Sequence, residues 1–474
     1  MFFHSIASLF LFLPLAITLF PLVSHLSSKA AKYFLLLFSL FFYGFDNPWF
    51  LLPLSVSALI DYFISRRLIS IDKDPKWLRK ALVSLSILTN IGLLASLKYT
   101  GLFLEIVYLF DIPHYSSNDF LRNLILPAGI SFYTFQTLSF TIDSYRKKVR
   151  VMPVFFDYIL YVCYFPQLVA GPILRPSDFF DLDGSCKLHT KNSNKKSGFQ
   201  RICFGLFLKL CFADELGRLN DIAFSSDVLT FNFLDAWTMA FGFGLQIYFD
   251  FSAYSHMAIG ISQCIGLPIR ENFKFPYLST SATEFWRRWH ISLSSWVSDY
   301  LYAFIKKRTS AKFLGIMSVI PTWMLMGIWH GASLRFAVWG LLNGLLILFH
   351  RMFKALAVKS GLTFTRSIHL MGWLLTLFSI MSTWLIFRSE SWSQAYYLYL
   401  SLLKPSLTLS FRENYYLFVF IFLSLCLLSG LAWSRSSIRK FTDSPLFYLL
   451  STIFTFSAAM IFVNRQVSFI YFQF

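Results

Sequence analysis

Long apolar runs alternate with short basic loops along most of the chain, and this alternation predicts a series of membrane-spanning helices. Many runs approach the roughly 20 residues that a helix needs to cross the hydrocarbon core of a bilayer. The clearest runs cover residues 5–23, 33–45, 49–64, 81–97, 124–142, 336–349, 367–387, 414–434 and 446–464. Residues 102–110 are expected to continue the run that begins at 81. The pattern predicts an all-α polytopic membrane protein with roughly ten to twelve transmembrane helices.

The middle third of the chain is less regular, because prolines and glycines interrupt two of its apolar runs. The interruptions are Pro127, Gly129, Pro166, Gly171 and Pro172. Irregular backbone at membrane depth is tolerated where it lies inside protein or lines a cavity. We therefore expect re-entrant or broken helices in this region, around a central tunnel.

The basic residues of the loops predict the orientation of the chain. Two loops hold most of the early positive charge, namely Arg66, Arg67, Lys73, Lys76, Arg79 and Lys80 in one and Arg146, Lys147, Lys148 and Arg150 in the other. Residues 111–123 between them hardly contain Lys or Arg. By the positive-inside rule both basic loops are cytoplasmic, and counting back through three spans places the N-terminus outside.

Composition agrees with a membrane protein and excludes several function classes. Of the 474 residues, 56% are hydrophobic and only 14% are charged, which is too apolar for a soluble globule. The net charge of +18 does not indicate nucleic-acid binding, because the basic residues sit mostly in loops between apolar runs. Six cysteines show no metal-ligand spacing, so no metal site is predicted. No linker or repeat divides residues 1–474, and one membrane domain is the simplest prediction.

A histidine lies near the end of an uncharged run. Residues 313–334 contain no Asp, Glu, Lys or Arg, and His330 falls close to the end of that stretch. On a continuous spanning helix its neighbours would include Gly327, Ser333 and Ala337, whose small side chains indicate either close helix packing or a substrate channel. Ionisable side chains at membrane depth are costly and often functional. A neutral imidazole there could serve as a general base toward a hydroxyl.

A second polar stretch covers residues 284–302. As one helix it would carry a polar stripe from Glu284 through Arg288 to Asp299, with His290 on the neighbouring apolar stripe. His290 is then either a buried structural histidine or part of a site. The pair Arg287 and Arg288 has its own structural interpretation as an interfacial anchor beside tryptophans.

Five motifs in order resemble those of the membrane-bound O-acyltransferase (MBOAT) family. They are LPAGISFYTFQ at 126–136, YFPQLVAGPI at 164–173, QIYFDFS at 246–252, the stretch 284–302, and GIWHGA at 327–332. The match spans about residues 126–343 of a single domain and is similar to the bacterial branch of alginate O-acetylation and teichoic-acid D-alanylation proteins.

The resemblance implies roles for individual residues. It makes His330 the catalytic base and His290 its orienting or acyl-binding partner in an intramembrane tunnel. Further substrate-binding or tunnel candidates are Trp329, Asp299, Arg287, Arg288 and Asn343. No bound cofactor is implied, since the acyl donor is a co-substrate, either acyl-CoA or an acyl-carrier thioester on the cytoplasmic side.

The resemblance also implies a setting and a reaction. The protein would sit as a multi-pass integral protein in the bacterial inner membrane. It would pass an acyl group, acetyl above all, to a hydroxyl acceptor for modification of an extracytoplasmic polysaccharide, with an extracytoplasmic glycan-modifying partner protein. Two alternatives stay open: a multispan transporter or flippase of a lipid-linked glycan, which broken helices also suit, and a non-catalytic membrane scaffold for such a partner.

Overall fold

The computed structural model shows a helical protein. It describes residues 3, 7–70, 75–99, 126–188, 194–267, 269–307, 312–361, 365–406, 408–409, 412–437, 452–454 and 456–457. In these residues the regular elements are helices, and no β-strand forms beyond one isolated bridge between Phe180 and Cys186. The predicted all-α class is therefore confirmed for the described chain.

The helices are numbered in chain order. The first eleven are α1 (Leu13–Leu26), α2 (Ser28–Gly44), α3 (Leu51–Ser70), α4 (Lys76–Lys98), α5 (Ile130–Tyr145), α6 (Phe155–Cys163), α7 (Phe165–Leu168), α8 (Pro176–Phe179), α9 (Lys195–Phe207), α10 (Asp214–Ser225) and α11 (Phe233–Ile265). The remaining nine are α12 (Ala282–Arg288), α13 (Ile291–Trp296), α14 (Ala303–Lys307), α15 (Lys312–Met317), α16 (Val319–His330), α17 (Leu334–Lys359), α18 (Arg366–Arg388), α19 (Trp392–Ser401) and α20 (Arg412–Ser437).

Within the described residues, four helical stretches are long and apolar enough to cross a membrane. They are Pro48–Ser70, which includes α3, and the helices α4, α17 and α18. All four coincide with runs in the sequence pattern. The predicted total of roughly ten to twelve spans stays a prediction. The expected continuation at 102–110, the outer loop at 111–123 and most of the run at 446–464 lie outside the described residues.

The chain forms two compact units, of which the first comprises residues 1–202 and 254–271. A buried polar network joins α3 and α4 to α5, whose Thr137 hydroxyl donates to the side-chain carbonyl of Asn90 at 3.2 Å. The Asp61 carboxylate accepts hydrogen bonds from Ser86 at 2.5 Å and from Asn90 at 2.8 Å, and Ser57 donates to the Asn90 carbonyl at 2.6 Å. Because unsatisfied polar groups are costly at this depth, the network fixes which faces of the three helices meet.

The predicted helix breaks are confirmed in the same unit. Helix α6 ends at Cys163, α7 lasts only four residues, and α5 begins after Gly129, whose φ of 76° is left-handed. The proline and glycine positions thus mark where regular helix stops, as their missing donor and permissive backbone dictate.

The second unit comprises residues 203–253 and 272–474, and its centre is a tight hairpin of α16 and α17. Most of 313–334 is helical, but the predicted continuation of that helix past His330 is wrong: α16 ends at His330, Gly331 is extended, and Ser333 caps α17. The helices cross where glycines leave no side chain between them. A Cβ on Gly340 would lie 2.1 Å from the Trp323 carbonyl oxygen. Gly327, next to His330 on the helix, serves the same close packing, because its Cβ would lie 2.0 Å from the Phe336 carbonyl oxygen.

Gly340→Ala is expected to destabilise the second unit strongly, because the added carbon meets backbone that cannot rotate away. Gly92→Ala on α4 is the matched control, since nothing lies within 4 Å of its added carbon. The measurement is the fraction of detergent-solubilised protein that remains monodisperse after heating. Equal losses for the two variants would contradict the close crossing.

Candidate active site

His330 is enclosed by aromatic rings at the turn of the hairpin. Its side chain is buried, and its ring centroid lies 5.1 Å from that of Trp339 on α17 and 5.5 Å from that of Phe387 on α18. The preceding residue, Trp329, adds a third ring at 4.8 Å. Such an enclosure excludes water, so charge at the imidazole interacts strongly with any polar group that enters.

The aromatic enclosure continues from His330 toward the segment that carries the second histidine. Trp339 stacks on Trp384 at 5.6 Å, and Trp384 contacts Trp289 at 5.4 Å. Trp289 directly precedes His290 in the chain. The structure therefore builds the surroundings of both histidines from one continuous set of rings within the second unit.

The chain turns sharply at His290, and the prediction of one helix over 284–302 is wrong. Helix α12 ends at Arg288, and α13 begins at Ile291, while His290 itself has φ 42° and ψ 56°. That left-handed conformation costs a non-glycine residue on the order of 1–3 kcal/mol. Asn272 competes with the helix for a backbone donor here, because its backbone carbonyl accepts a hydrogen bond from the Ile291 N–H at 2.8 Å. Tertiary hydrogen bonds thus override the helical periodicity of the sequence.

The break changes the surroundings of His290. Its side chain is almost fully buried, and its ring meets the Phe251 ring edge-to-face at 4.5 Å. Its Nδ1 lies 3.2 Å from Asn272 Oδ1 and 3.4 Å from Ser292 Oγ. At Nδ1 these partners are side chains rather than a backbone carbonyl, and the functional role of His290 stays a prediction.

Several buried polar atoms close to this enclosure have no hydrogen-bond partner among the described residues, and three of them bear on the site. They are the indole nitrogens of Trp339 and Trp286 and the side-chain oxygen of Asn343. Asn343 is buried, and its amide donates to the Trp339 carbonyl at 2.9 Å. The Trp286 ring lies 5.8 Å from that of Trp339. Buried polar atoms usually find partners, so these three are candidates for contacting a bound molecule.

The charged candidates lie at the edge of this region. Arg288 pairs with Glu284 at 2.6 Å, whereas the side chain of Arg287 is exposed. Asp299 is also exposed, on the π-helical segment Val297–Tyr302, so it does not share the enclosure of the histidines. Burial raises the pKa of Glu284, but hydrogen bonds from Thr280 and the charge of Arg288 outweigh it and lower that pKa below its ordinary value.

Several residues of the site escaped the sequence pattern. Asn272 lies in the connection between α11 and α12, and only the structure brings it to His290. Trp384 and Phe387 belong to an apolar run that looks like any other span. Among the described residues no group of three or more His, Cys, Asp or Glu side chains could hold a metal ion.

Comparison with known proteins matches most of the chain to one family. The family model of membrane-bound O-acyltransferases matches residues 35–391. The chain is 34% identical to the probable alginate O-acetylase of Pseudomonas aeruginosa over 84% of this chain and 74% of that protein. It is 30% identical to the peptidoglycan O-acetyltransferase of Helicobacter pylori over 77% and 72%, respectively. It is 26% identical to the teichoic acid D-alanyltransferase of Bacillus subtilis over 51% and 62%.

Proposed function

The chain belongs to the membrane-bound O-acyltransferase family, and from this membership we propose that it acylates a hydroxyl of an extracytoplasmic polysaccharide. The acyl group is acetyl, passed from a cytoplasmic thioester through the membrane domain. The observation that carries the proposal is His330, a buried imidazole in an aromatic enclosure at the turn of a hairpin. Two of the similar proteins named above are acetylases, which favours acetyl.

The proposed reaction needs one base. His330 takes the proton of the acceptor hydroxyl as its oxygen attacks the thioester carbonyl carbon. The new C–O bond forms, the C–S bond breaks, and the proton passes to the departing thiolate. The indole N–H groups of Trp339 and Trp286 are suited to stabilise the negative carbonyl oxygen, since both are buried without partners among the described residues.

The donor end of the proposed path is a cationic group on α17 and its neighbours, which we call the α17 cationic cluster. It comprises Arg287, Arg351 and Lys354, which surround His350, and the Glu284 carboxylate also lies near that ring. His350 Nδ1 lies 2.9 Å from Thr283 Oγ1, and Arg351 donates to the Tyr302 hydroxyl at 3.1 Å. With Lys359 and Arg366 beyond it, this end of α17 is cytoplasmic by the positive-inside rule.

The spacing along α17 suits a long thioester donor. Trp339, which contacts His330, precedes His350 by 350 − 339 = 11 residues, or about 16 Å of helix and three turns. Asn343 lies between them on the same face. An extended phosphopantetheine arm has a comparable length, so a donor phosphate at the cluster would let its thioester reach His330. Both acyl-CoA and an acyl-carrier protein present such an arm.

Arg287→Gln combined with Arg351→Gln is expected to raise the KM for acetyl-CoA roughly tenfold or more, because charge-assisted contacts to a phosphate are lost. The value of kcat should change much less, since neither residue touches His330. Lys359→Gln, a basic residue further along α17, is the matched control. Initial rates with purified protein in nanodiscs measure the effect, and an unchanged KM would remove the cluster from the donor site.

The remaining components of the proposal follow from the same reaction. The protein works in the bacterial cytoplasmic membrane, and an extracytoplasmic glycan-modifying partner completes transfer to the polymer. The direct test is mass analysis of ester-linked acetyl groups on surface polysaccharide from cells with and without the gene. Loss of acetyl esters on deletion, and their return on complementation, is the expected result. Identical ester content would reject the proposed function.

A further inference from the structure

The side-chain oxygen of Asn272 contacts three groups at the sharp turn of the chain around His290. It accepts the Ser292 backbone N–H at 3.1 Å and the Ser292 hydroxyl at 2.9 Å, and it lies 3.2 Å from His290 Nδ1. Asn272, His290 and Ser292 are all buried. A backbone N–H can only donate, so the atom facing it must be the amide oxygen rather than the amide nitrogen.

This assignment determines the protonation of the imidazole. Because the amide oxygen is an acceptor, the His290 Nδ1 that faces it has to carry a hydrogen. A buried imidazole in apolar surroundings is neutral, and a neutral ring with hydrogen on Nδ1 has a lone pair on Nε2. In this tautomer Nε2 can therefore accept a hydrogen bond but cannot donate one.

The backbone of Asn272 also restrains His290. The left-handed φ of His290 is maintained by the Ile291 N–H, which donates to the Asn272 carbonyl oxygen at 2.8 Å. Asn272 thus contacts this turn twice: its backbone carbonyl accepts from the Ile291 N–H, and its side-chain oxygen faces the His290 ring. A strained residue held from two sides is typical of a positioned functional group.

We propose that Asn272 is a positioning residue that keeps His290 in the Nδ1–H tautomer, so that Nε2 binds a hydroxyl of the acyl acceptor. A thioester carbonyl has no hydrogen to donate and cannot bind to that lone pair. The Nδ1–H tautomer therefore rules out the acyl-binding role that the resemblance allows for His290. A sugar ring presents neighbouring hydroxyls, so His290 holds one while His330 deprotonates the next. This inference rests on the proposed acyl transfer.

Nitrogen NMR tests the tautomer without reference to activity. Protein labelled with ¹⁵N-histidine is compared with a His290→Gln sample, which identifies the two His290 resonances. The expected result is a protonated Nδ1 and an unprotonated Nε2, and loss of that preference in Asn272→Leu. An Nε2–H tautomer in the unaltered protein, or an unchanged tautomer in Asn272→Leu, would overturn the proposal.

Acylation measurements then test the role. Asn272→Leu is expected to lower ester-linked acetyl on surface polysaccharide on the order of 10- to 100-fold, as loss of an orienting partner does elsewhere. Binding of acetyl-CoA to the purified variant should be unchanged. Asn272→Asp keeps an acceptor for Nδ1–H, so it should retain the tautomer and most activity, while the added charge moves the acidic limb of the pH profile upward.

The outcomes separate this inference from the proposed function. If deletion of the gene leaves ester content unaltered, the acyl transfer fails while the tautomer result stands. If Asn272→Leu weakens acetyl-CoA binding and Asn272→Asp restores it, His290 contacts the donor and the acceptor assignment is wrong. If Asn272→Leu and Asn272→Asp both retain full acylation, Asn272 has no part in positioning.

Discussion

His330→Ala is expected to abolish acetyl transfer to surface polysaccharide while the protein still inserts in the membrane. General-base catalysis contributes roughly 10²- to 10⁴-fold to such reactions, and methyl in place of imidazole removes it completely. His330 ends α16 and contacts Trp339 and Phe387 through its ring, so the substitution also leaves a small cavity. His330→Gln fills most of that space without supplying a base, and it should be as inactive as His330→Ala.

The control for His330 is a histidine outside the enclosure. His369 is exposed on α18, and His369→Ala should leave acylation unchanged. Ester-linked acetyl is measured together with the amount of each variant in isolated membranes. Full acylation by inserted His330→Ala would reject the catalytic role, and the non-catalytic scaffold would then be the better interpretation. Loss with His330→Ala but not with His330→Gln would assign His330 a packing role.

The fold class could be predicted because it depends on composition averaged over many residues. Twenty-residue apolar runs and charged loops select helices in a membrane whatever the details of packing. The breaks at Gly129 and Pro166 were predictable for a local reason, since glycine and proline act on their own backbone. The two histidines were recognised from motifs, and their roles stay predictions.

The two wrong predictions share a physical cause, which is that helical periodicity contains no information about distant partners. In residues 284–302 the helix would continue through His290 if the N–H groups of Ile291 and Ser292 donated to carbonyls one turn earlier. They donate instead to the backbone carbonyl oxygen and the side-chain oxygen of Asn272. At His330 the chain turns back because Gly331 packs under the ring of Phe336, where its Cβ would lie 2.0 Å away. Both corners build the candidate site, so the helix prediction fails at the candidate site itself.

The sequence pattern also did not predict a buried ion cluster in the second unit. Lys209 Nζ lies 2.7 Å from Asp214 Oδ1 and 2.9 Å from Asp250 Oδ1, and all three side chains are at most 4% exposed. Asp250 is part of the QIYFDFS motif, and on α11 it directly precedes Phe251, the residue that contacts His290. The cluster ties the π-helical segment Leu208–Ala213 and α10 to this part of α11.

Lys209→Met is expected to destabilise the second unit severely, by about 3–5 kcal/mol, because it leaves two buried carboxyl groups without their cation. The side chain of methionine is similar in length and apolar, so lost volume does not explain the effect. The measurement is the midpoint of thermal unfolding in detergent, with Lys306→Met on exposed α14 as the control. A midpoint equal to that of the unaltered protein would show that the cluster contributes nothing to stability.

A compensated variant separates charge from shape. In Lys209→Met combined with Asp214→Asn and Asp250→Asn the cation and both potential anions are gone, and the amides can still hydrogen-bond. Because the cost of Lys209→Met arises mainly from uncompensated carboxylates, the triple variant should regain much of the lost stability. If it stays as unstable as Lys209→Met, the specific hydrogen-bond geometry of the ammonium holds these helices together. Recovery of stability without recovery of acylation would assign the cluster a further part in placing Phe251 against His290.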